Sequence, residues 1–281
     1  MHYRLRQLLA TALLAIAIAG CGDDGGESVI LATTTSTQDS GLLDELIPAF
    51  ERDSGFRVKT IAVGSGEAIE LGARGEADVV LAHSPAAEEE LIAAGKAGER
   101  RTVMHNDFVI VGPAADPAKV HDADPADALA RIADAKAPFV SRGDESGTHT
   151  FELALWDDAG REPGGGWYQE SGQGMGATLQ IANDKGAYTI SDRGTFLATE
   201  SARDLEVAVE GGAELLNVYH VIDIAADAGE RVHADGGKAL ADWLVSPAAQ
   251  DVIETFGVEE FGEPLFVPDA AKTDEQIRAA G

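Results

Sequence analysis

Short apolar runs alternate with amphipathic stretches along most of the chain. Val29–Ala32 reads as a strand, and the stretch Gly41–Arg52 that follows places Leu42, Leu43, Leu46, Ile47 and Phe50 on one helical face, with a stop at Gly55. Phe56–Val63 is strand-like, and a short helix then runs from Gly64-Ser65-Gly66 to Arg74. The same alternation predicts a strand at Ala77–Ala82, a helix at Pro85–Ala94, a strand at Phe108–Val111 ending before Pro113, and a helix at Pro125–Ala135. Phe139-Val140, a helix near Phe151–Ala159 and a Gly/Pro-rich turn at Arg161–Gly166 come next. Gly174 opens a helix to Lys185, strands follow at Ala187–Ile190, Leu205–Val209 and Val218–Ile224, and the chain closes with helices near Gly237–Val245 and Ala248–Phe256. Strands separated by helices predict an α/β fold with mostly parallel sheets flanked by helices. No internal repeat is visible.

The first residues stand apart from this pattern. Arg4 and Arg6 precede an apolar run from Leu8 to Ala19, which is too short to span a membrane as a mature helix, and Ile18-Ala19-Gly20-Cys21 ends it with small residues. Residues 1–21 therefore read as a lipoprotein signal cut before Cys21, which then carries the lipid; an ordinary secretory signal ending by chance at a cysteine is the alternative. Residues 22–28 are a Gly- and acid-rich tether. Cys21 is the single cysteine, so the chain has no internal disulfide. No later run is apolar enough to cross a bilayer. The remainder is long enough for two lobes with separate cores.

The formal net charge is −28. A nucleic-acid partner is excluded, because nothing offsets phosphate repulsion. The acidic residues are spread along the chain, which points to work in concentrated salt, where the Debye length falls to about 3 Å. Any anion site in such a chain must be locally neutral or positive.

Two segments have that character: Thr33-Thr34-Thr35-Ser36 and Ser141–His149. Each follows a strand-like run and precedes a helix-like one, so free backbone N–H groups and a helix's positive end point at the loop. Hydroxyls and Arg142, the one full positive charge in either loop, complete a donor set for a small tetrahedral anion. The segments are far apart in sequence, which predicts two lobes closing on the ligand. Gly64-Ser65-Gly66, His83-Ser84-Pro85 and Gly174-Met175-Gly176 are further strand–helix junctions that fit a cleft at the carboxyl ends of strands; each alone is also an ordinary tight turn.

In this order, Thr33–Leu42, Ala62–Gly66, Asn106–Pro113, Ser141–His149, Glu170–Leu179 and Tyr188–Thr195 give the chain a specific likeness. From about Ile30 to Pro268 it resembles the tungstate-binding lipoproteins that feed ABC importers, within the type II periplasmic-binding-protein superfamily. The threonine-rich first loop and the Arg-Gly-Asp-x-Ser-Gly-Thr-His second loop are both intact, with Glu145 at the variable place. The resemblance implies that Thr34, Thr35, Ser36, Arg142, Ser146 and Thr148 surround the oxyanion, and Ser65, Gly66 and Gly147 join them as expected contacts. Gly64, Ser84, Ser141, Asp144, Gly174, Met175 and Gly176 are further cleft candidates. It also implies one lobe of residues 29–112 with 214–281, a second of residues 113–213, and a hinge at Gly112-Pro113 and Gly211–Leu216. The expected partners are a membrane permease and its cytoplasmic ATPase. The expected form is a monomer held outside the cell membrane by lipid alone, with no cofactor, no metal cation and no catalytic role.

Tungstate is a proton-free dianion that needs only donors, so Asp144 is the awkward residue. It either turns away to orient Arg142 and the loop amides or caps the next helix. Phosphate is the rival ligand, since Asp144 could accept its proton. A hydrolase using Ser146, His149 and Asp144 is the rival from another class; against it, the three crowd one short loop and no Gly-x-Ser-x-Gly elbow is present. His149 reads as a hydrogen-bonded structural group, Asp192-Arg193 as a salt bridge or cap beneath the cleft, and Trp156, Trp167 and Trp243 as core residues.

Overall fold

The computed structural model describes residues 27–280. Cys21, the signal segment and most of the tether lie outside the described residues. In chain order the first elements are β1 (Ser28–Thr34), α1 (Thr35–Asp39), α2 (Leu42–Ser54), β2 (Arg57–Val63), α3 (Ser65–Ala73), β3 (Val79–Ala82), α4 (Pro85–Ala93) and β4 (Ala97–Pro113). The middle of the chain forms α5 (Pro125–Ala135), β5 (Phe139–Ser141), α6 (Gly147–Asp158), β6 (Tyr168–Glu170), α7 (Met175–Lys185), β7 (Thr189–Asp192), α8 (Arg193–Ala198) and β8 (Leu205–Val209). It returns through β9 (Leu216–Ile224), α9 (Ala234–Leu244), α10 (Pro247–Thr255), α11 (Val258–Phe261), β10 (Val267–Pro268) and α12 (Asp274–Arg278).

The sheet order is β10-β4-β9-β3-β1-β2, and β7 and β8 also pair with β4. β1 pairs in parallel with β2 and β3, and β5 with β6. Every pairing of β4, and that of β3 with β9, is antiparallel. The α/β expectation holds, but the strand sense is mixed rather than mostly parallel. The reason is β4. Its polar first part, Ala97–Thr102, does not read as a strand, yet it runs unbroken into Phe108–Val111 and lies antiparallel to every neighbour.

Side-chain alternation along the strands gives each half a sheet with helices on both faces. In the first half, Val29, Leu31, Val79, Leu81 and Val221 join α2, α9 and α10 on one face, while Ala32, Val80, Ala82 and Ile222 join α3 and α4 on the other. In the second, Phe108 and Ile110 pack on α5 and α6, and Val109 and Val111 pack on α7. Two passages connect the halves. β4 pairs with β9 as far as Asp107↔Leu216 and exchanges it for β7 at Phe108↔Asp192. Gly112 and Pro113, the expected crossing, instead pair with Glu206 and Leu205 of β8, because Phe108 and Ile110 are already core residues of the second half. The return passage runs from Val209 to Leu216, over the expected Gly211–Leu216 segment. Among the described residues no helix is long and apolar enough to cross a membrane.

Candidate functional site

Helix starts from both halves meet between them. The first loop ends β1. Thr33 donates its hydroxyl to the Leu81 carbonyl (2.9 Å) and so belongs to the sheet. Thr34 caps α1: its Oγ1 accepts from Thr37 N–H (3.2 Å) and lies 3.0 Å from Ser36 Oγ and 2.7 Å from Thr37 Oγ1. Its hydroxyl is thus engaged within the loop. Thr35 is half-buried and Ser36 buried.

The second loop leaves β5 and turns twice through left-handed backbone. Gly143 (φ 61°) fills a place where a β-carbon would lie 2.6 Å from Glu170 Cβ, and Glu145 (φ 58°) is a non-glycine residue in the same region. Arg142 is only 2 % exposed. Its Nη2 donates to Thr35 Oγ1 across the cleft (3.3 Å) and to Asp144 Oδ2, and its Nε also reaches Asp144 Oδ2 (3.1 Å). Asp144 Oδ1 accepts from Ser146 N–H (3.2 Å). Asp144 therefore orients the arginine and the loop amide. Ser146 caps α6 by accepting from His149 N–H (3.3 Å), and Gly147 and Thr148 are buried in the first turn.

Three other junctions contribute unequally. Gly64 caps α3, and a β-carbon there would lie 3.5 Å from Ser146 Cα; one on Gly66 would lie 3.6 Å from the Glu145 carbonyl oxygen. Backbone from the two halves therefore comes into near contact. Ser65 is 1 % exposed and its Oγ has no hydrogen-bond partner among the described residues. At α7, a β-carbon on Gly174 would sit 3.6 Å from Thr35 Cβ, and Gly176 N–H donates to Asp39 Oδ2 (3.3 Å). Burial pushes the Asp39 carboxyl above its usual value, against that hydrogen bond and the Arg142 charge. The Met175 side chain, expected in the cleft, is fully buried in the core with Val109, Val111 and Val140. Ser141 is likewise fully buried, its carbonyl accepting from Ser171 N–H (2.9 Å). Ser84 N–H donates to Glu88 Oε1 (2.7 Å), and Ser84 lines an interlobe cavity of about 410 Å³ with Gly66, Phe108 and Phe151.

Further polar residues lie close to these loops. His83 is buried beside the second loop, where a β-carbon on Gly147 would lie 2.8 Å from both His83 Cε1 and Ser65 Oγ. Burial lowers the His83 pKa to about 4, so its ring is neutral. Glu152, one turn into α6, accepts from Trp156 Nε1 (3.0 Å) and Tyr168 Oη (2.9 Å), and burial raises its pKa to about 7. His83, within the His83-Ser84-Pro85 junction, and the Asp192-Arg193 pair stand out in the sequence, and Glu152 does not. Arg193 forms ion pairs with Asp107 (2.7 Å) and Glu210 (2.6 Å) beside the strand exchange. The hydrolase pieces are not arrayed for catalysis. The Ser146 hydroxyl meets the His149 backbone, His149 Nδ1 accepts from Glu145 N–H (3.1 Å), and Asp144 is engaged with Arg142. Among the described residues no cluster of His, Cys, Asp and Glu is arranged to hold a metal cation.

Chemically, the cleft offers hydroxyls, amides at helix starts and one buried guanidinium, all donors, which suits a small oxyanion. Two helix-flanked halves joined by two passages of chain, with that donor set between them, define a two-lobed solute-binding protein. The chain belongs to the periplasmic-binding-protein (PBP) superfamily: the sequence model described as "PBP superfamily domain" matches residues 22–248. It is 48% identical over 286 residues to the tungstate-binding protein TupA of Peptoclostridium acidaminophilum, spanning 97% of this chain and 100% of that protein. It is 37% identical over 240 residues to the TupA of Campylobacter jejuni, spanning 84% of this chain and 88% of the relative. Among solved structures, the tungstate ABC transporter protein from Geobacter sulfurreducens superposes with a TM-score of 0.75 at 44% identity, covering 82% of this chain and 99% of that one.

Proposed function

We propose that this protein is an extracytoplasmic receptor that captures tungstate, or molybdate, between its two lobes and delivers it to an ABC permease driven by a cytoplasmic ATPase. The observation that carries the reading is the Arg142–Thr35 contact, which joins the two donor-rich loops across the cleft. Similarity to tungstate-binding relatives supports the choice of anion. Residues 29–107 with 214–280 form one lobe and 108–213 the other, following the exchange of β4 partners. Thr35, Ser36, Ser65, Arg142, Ser146 and Thr148 supply side-chain donors, Gly66 and Gly147 supply backbone N–H groups, and Thr34 shapes the first loop. Cys21 carries the lipid that holds the monomer to the outer face of the membrane, and no step of this cycle is catalytic.

Phosphate is the less favoured ligand. It would need Asp144 as a proton acceptor, and both oxygens of Asp144 are engaged by Arg142 and Ser146 N–H. Titration calorimetry with sodium tungstate, molybdate, phosphate and sulfate tests this. Tight tungstate binding with no phosphate or sulfate signal is expected; tight phosphate binding without a tungstate signal overturns the reading.

A further inference from the structure

One buried polar chain remains after the cleft donors are assigned. Asp192 is fully buried at the end of β7 and caps α8, its Oδ1 accepting from Thr195 N–H (2.9 Å). Thr195 in turn donates its hydroxyl to the Ser36 carbonyl (3.1 Å), in the first loop and on the other lobe. The same Asp192 oxygen accepts from Asn106 Nδ2 (3.1 Å), and Asn106 Oδ1 accepts from Asn217 Nδ2 (2.9 Å), which also reaches Tyr219 Oη (3.0 Å). Asn106 and Asn217 are register partners in the last stretch before β4 leaves β9. The chain of contacts therefore runs from the first loop into the second lobe and back to β4 and β9 beside the place where β4 passes between the halves.

A helix cap alone requires neither asparagine, and a buried carboxyl is costly to retain without such partners. Asp192 Oδ2 has no partner among the described residues. The groups that face Asp192 are Asn106 from β4, Tyr219 from β9, Thr195 from α8 and the Arg142 charge from the second loop. Burial raises the Asp192 carboxyl above its usual range, while the hydrogen bonds and Arg142 pull the other way. Through the shared Asp192 Oδ1 the members of this network hold one another in place, and losing one member loosens the rest.

We propose that Asp192 is a positioning residue for the first anion loop: by holding Thr195 and Asn106 together it ties Ser36, and with it the Thr35–Asp39 turn, to the point where β4 changes partners. The proposal rests on the anion-receptor reading of the cleft. Lobe opening must bend the chain near Asp107–Phe108 and before Leu216, and so moves Asn106 relative to Asp192. Loop geometry and lobe closure are then biased together, which is the physical content of coupling between them.

The test compares the parent chain with Asp192→Ala, Asp192→Asn and Thr195→Val, by amide hydrogen exchange without ligand and by calorimetry with sodium tungstate. Asparagine keeps a carbonyl oxygen for both accepted bonds, alanine keeps none, and valine removes the Thr195 hydroxyl, and so the link to Ser36, while leaving the Thr195 N–H bond to Asp192. Asp192→Ala and Thr195→Val are expected to speed exchange across Thr35–Ser40 and weaken tungstate binding, each by about tenfold, with Asp192→Asn within about threefold of the parent. Faster exchange confined to α8, with parental tungstate affinity, overturns the proposal and leaves Asp192 a helix cap. Should Asp192→Ala fail to fold, parental exchange across Thr35–Ser40 in Thr195→Val overturns it equally. A parent that ignores tungstate sinks the receptor reading instead, and the ligand-free exchange still decides the role of Asp192.

Discussion

Replacing Arg142 by alanine removes the guanidinium that lies between the two loops. The side chain is nearly inaccessible and holds Thr35 from one lobe and Asp144 from its own. Two losses follow. The anion loses a charge-assisted pair, and the Asp144 carboxylate, left with Ser146 N–H alone, becomes an uncompensated negative charge beside it. Truncating one partner of a buried, hydrogen-bonded charge pair costs about 2–5 kcal/mol, so affinity should fall by about 30-fold to several-thousand-fold. Arg142→Lys should recover part of this, because a point charge cannot grip two oxygens in the guanidinium's fork. Adding Asp144→Asn to Arg142→Ala should improve tungstate binding relative to Arg142→Ala alone, since it removes the stranded charge. In the parent background the same change weakens the hold on Arg142 and reduces affinity. Calorimetry on the four proteins gives the coupling directly. Arg142→Ala binding tungstate within about threefold of the parent would refute the reasoning.

Glu152, with its pKa raised to about 7 by burial, binds a proton in the fold that the unfolded chain releases near pH 4.5. Its contribution is therefore fully present below pH 4.5 and lost as pH rises to about 7; the sign is that of a raised pKa, and the size is on the order of 3 kcal/mol. His83 works in the opposite sense as pH falls from 6.5 to about 4, so the informative quantity is the difference between the parent and Glu152→Gln. Denaturant titrations should show the variant gaining on the parent between pH 5 and 8, and a constant difference contradicts this. Gly147→Ala forces a methyl within 2.8 Å of His83 Cε1 and Ser65 Oγ; it should cost about 1–3 kcal/mol of stability and weaken tungstate binding, as read by thermal melts and titration. With a net charge of −28, the melting temperature should rise from dilute buffer to about 2 M KCl, and calorimetric scans showing no rise would contradict salt adaptation.

The elements with clean periodicity were legible in the sequence. Of the α2 residues that helical spacing puts on one face, Leu42, Leu43, Leu46 and Phe50 are buried and Ile47 packs partly buried beside them, and the helix expected over Pro125–Ala135 is α5. β4 was not. Arg100 and Arg101 lie in it with salt bridges to Glu88 and Asp242, and register shifts between Ala97 and Arg100 and between Thr102 and Met104 break the alternation a strand reading needs. Strand sense is a long-range property, and helices between strands suggest parallel pairing whether or not a strand such as β9 returns from another lobe. The second loop stands out in the sequence because its hydroxyls and Arg142 are concentrated in one segment. Asn217 does not, and His83 and Asn106 stand out only as parts of the His83-Ser84-Pro85 junction and the Asn106–Pro113 segment, because each acts singly, from a different element, and only the fold brings them beside that loop or the strand exchange. Met175 was drawn in by the glycines around it, although its side chain fills the core behind α7. The Asp144 choice between facing the ligand and orienting Arg142 needed coordinates, since both readings use the same residues.

The most direct measurement is a crystal structure of the protein grown with sodium tungstate. One tungstate should lie between the lobes, within hydrogen-bond reach of Thr35, Arg142 and the first turn of α6, with Asp144 turned to the arginine. An empty cleft, or tungstate held elsewhere by residues of one lobe alone, contradicts the account.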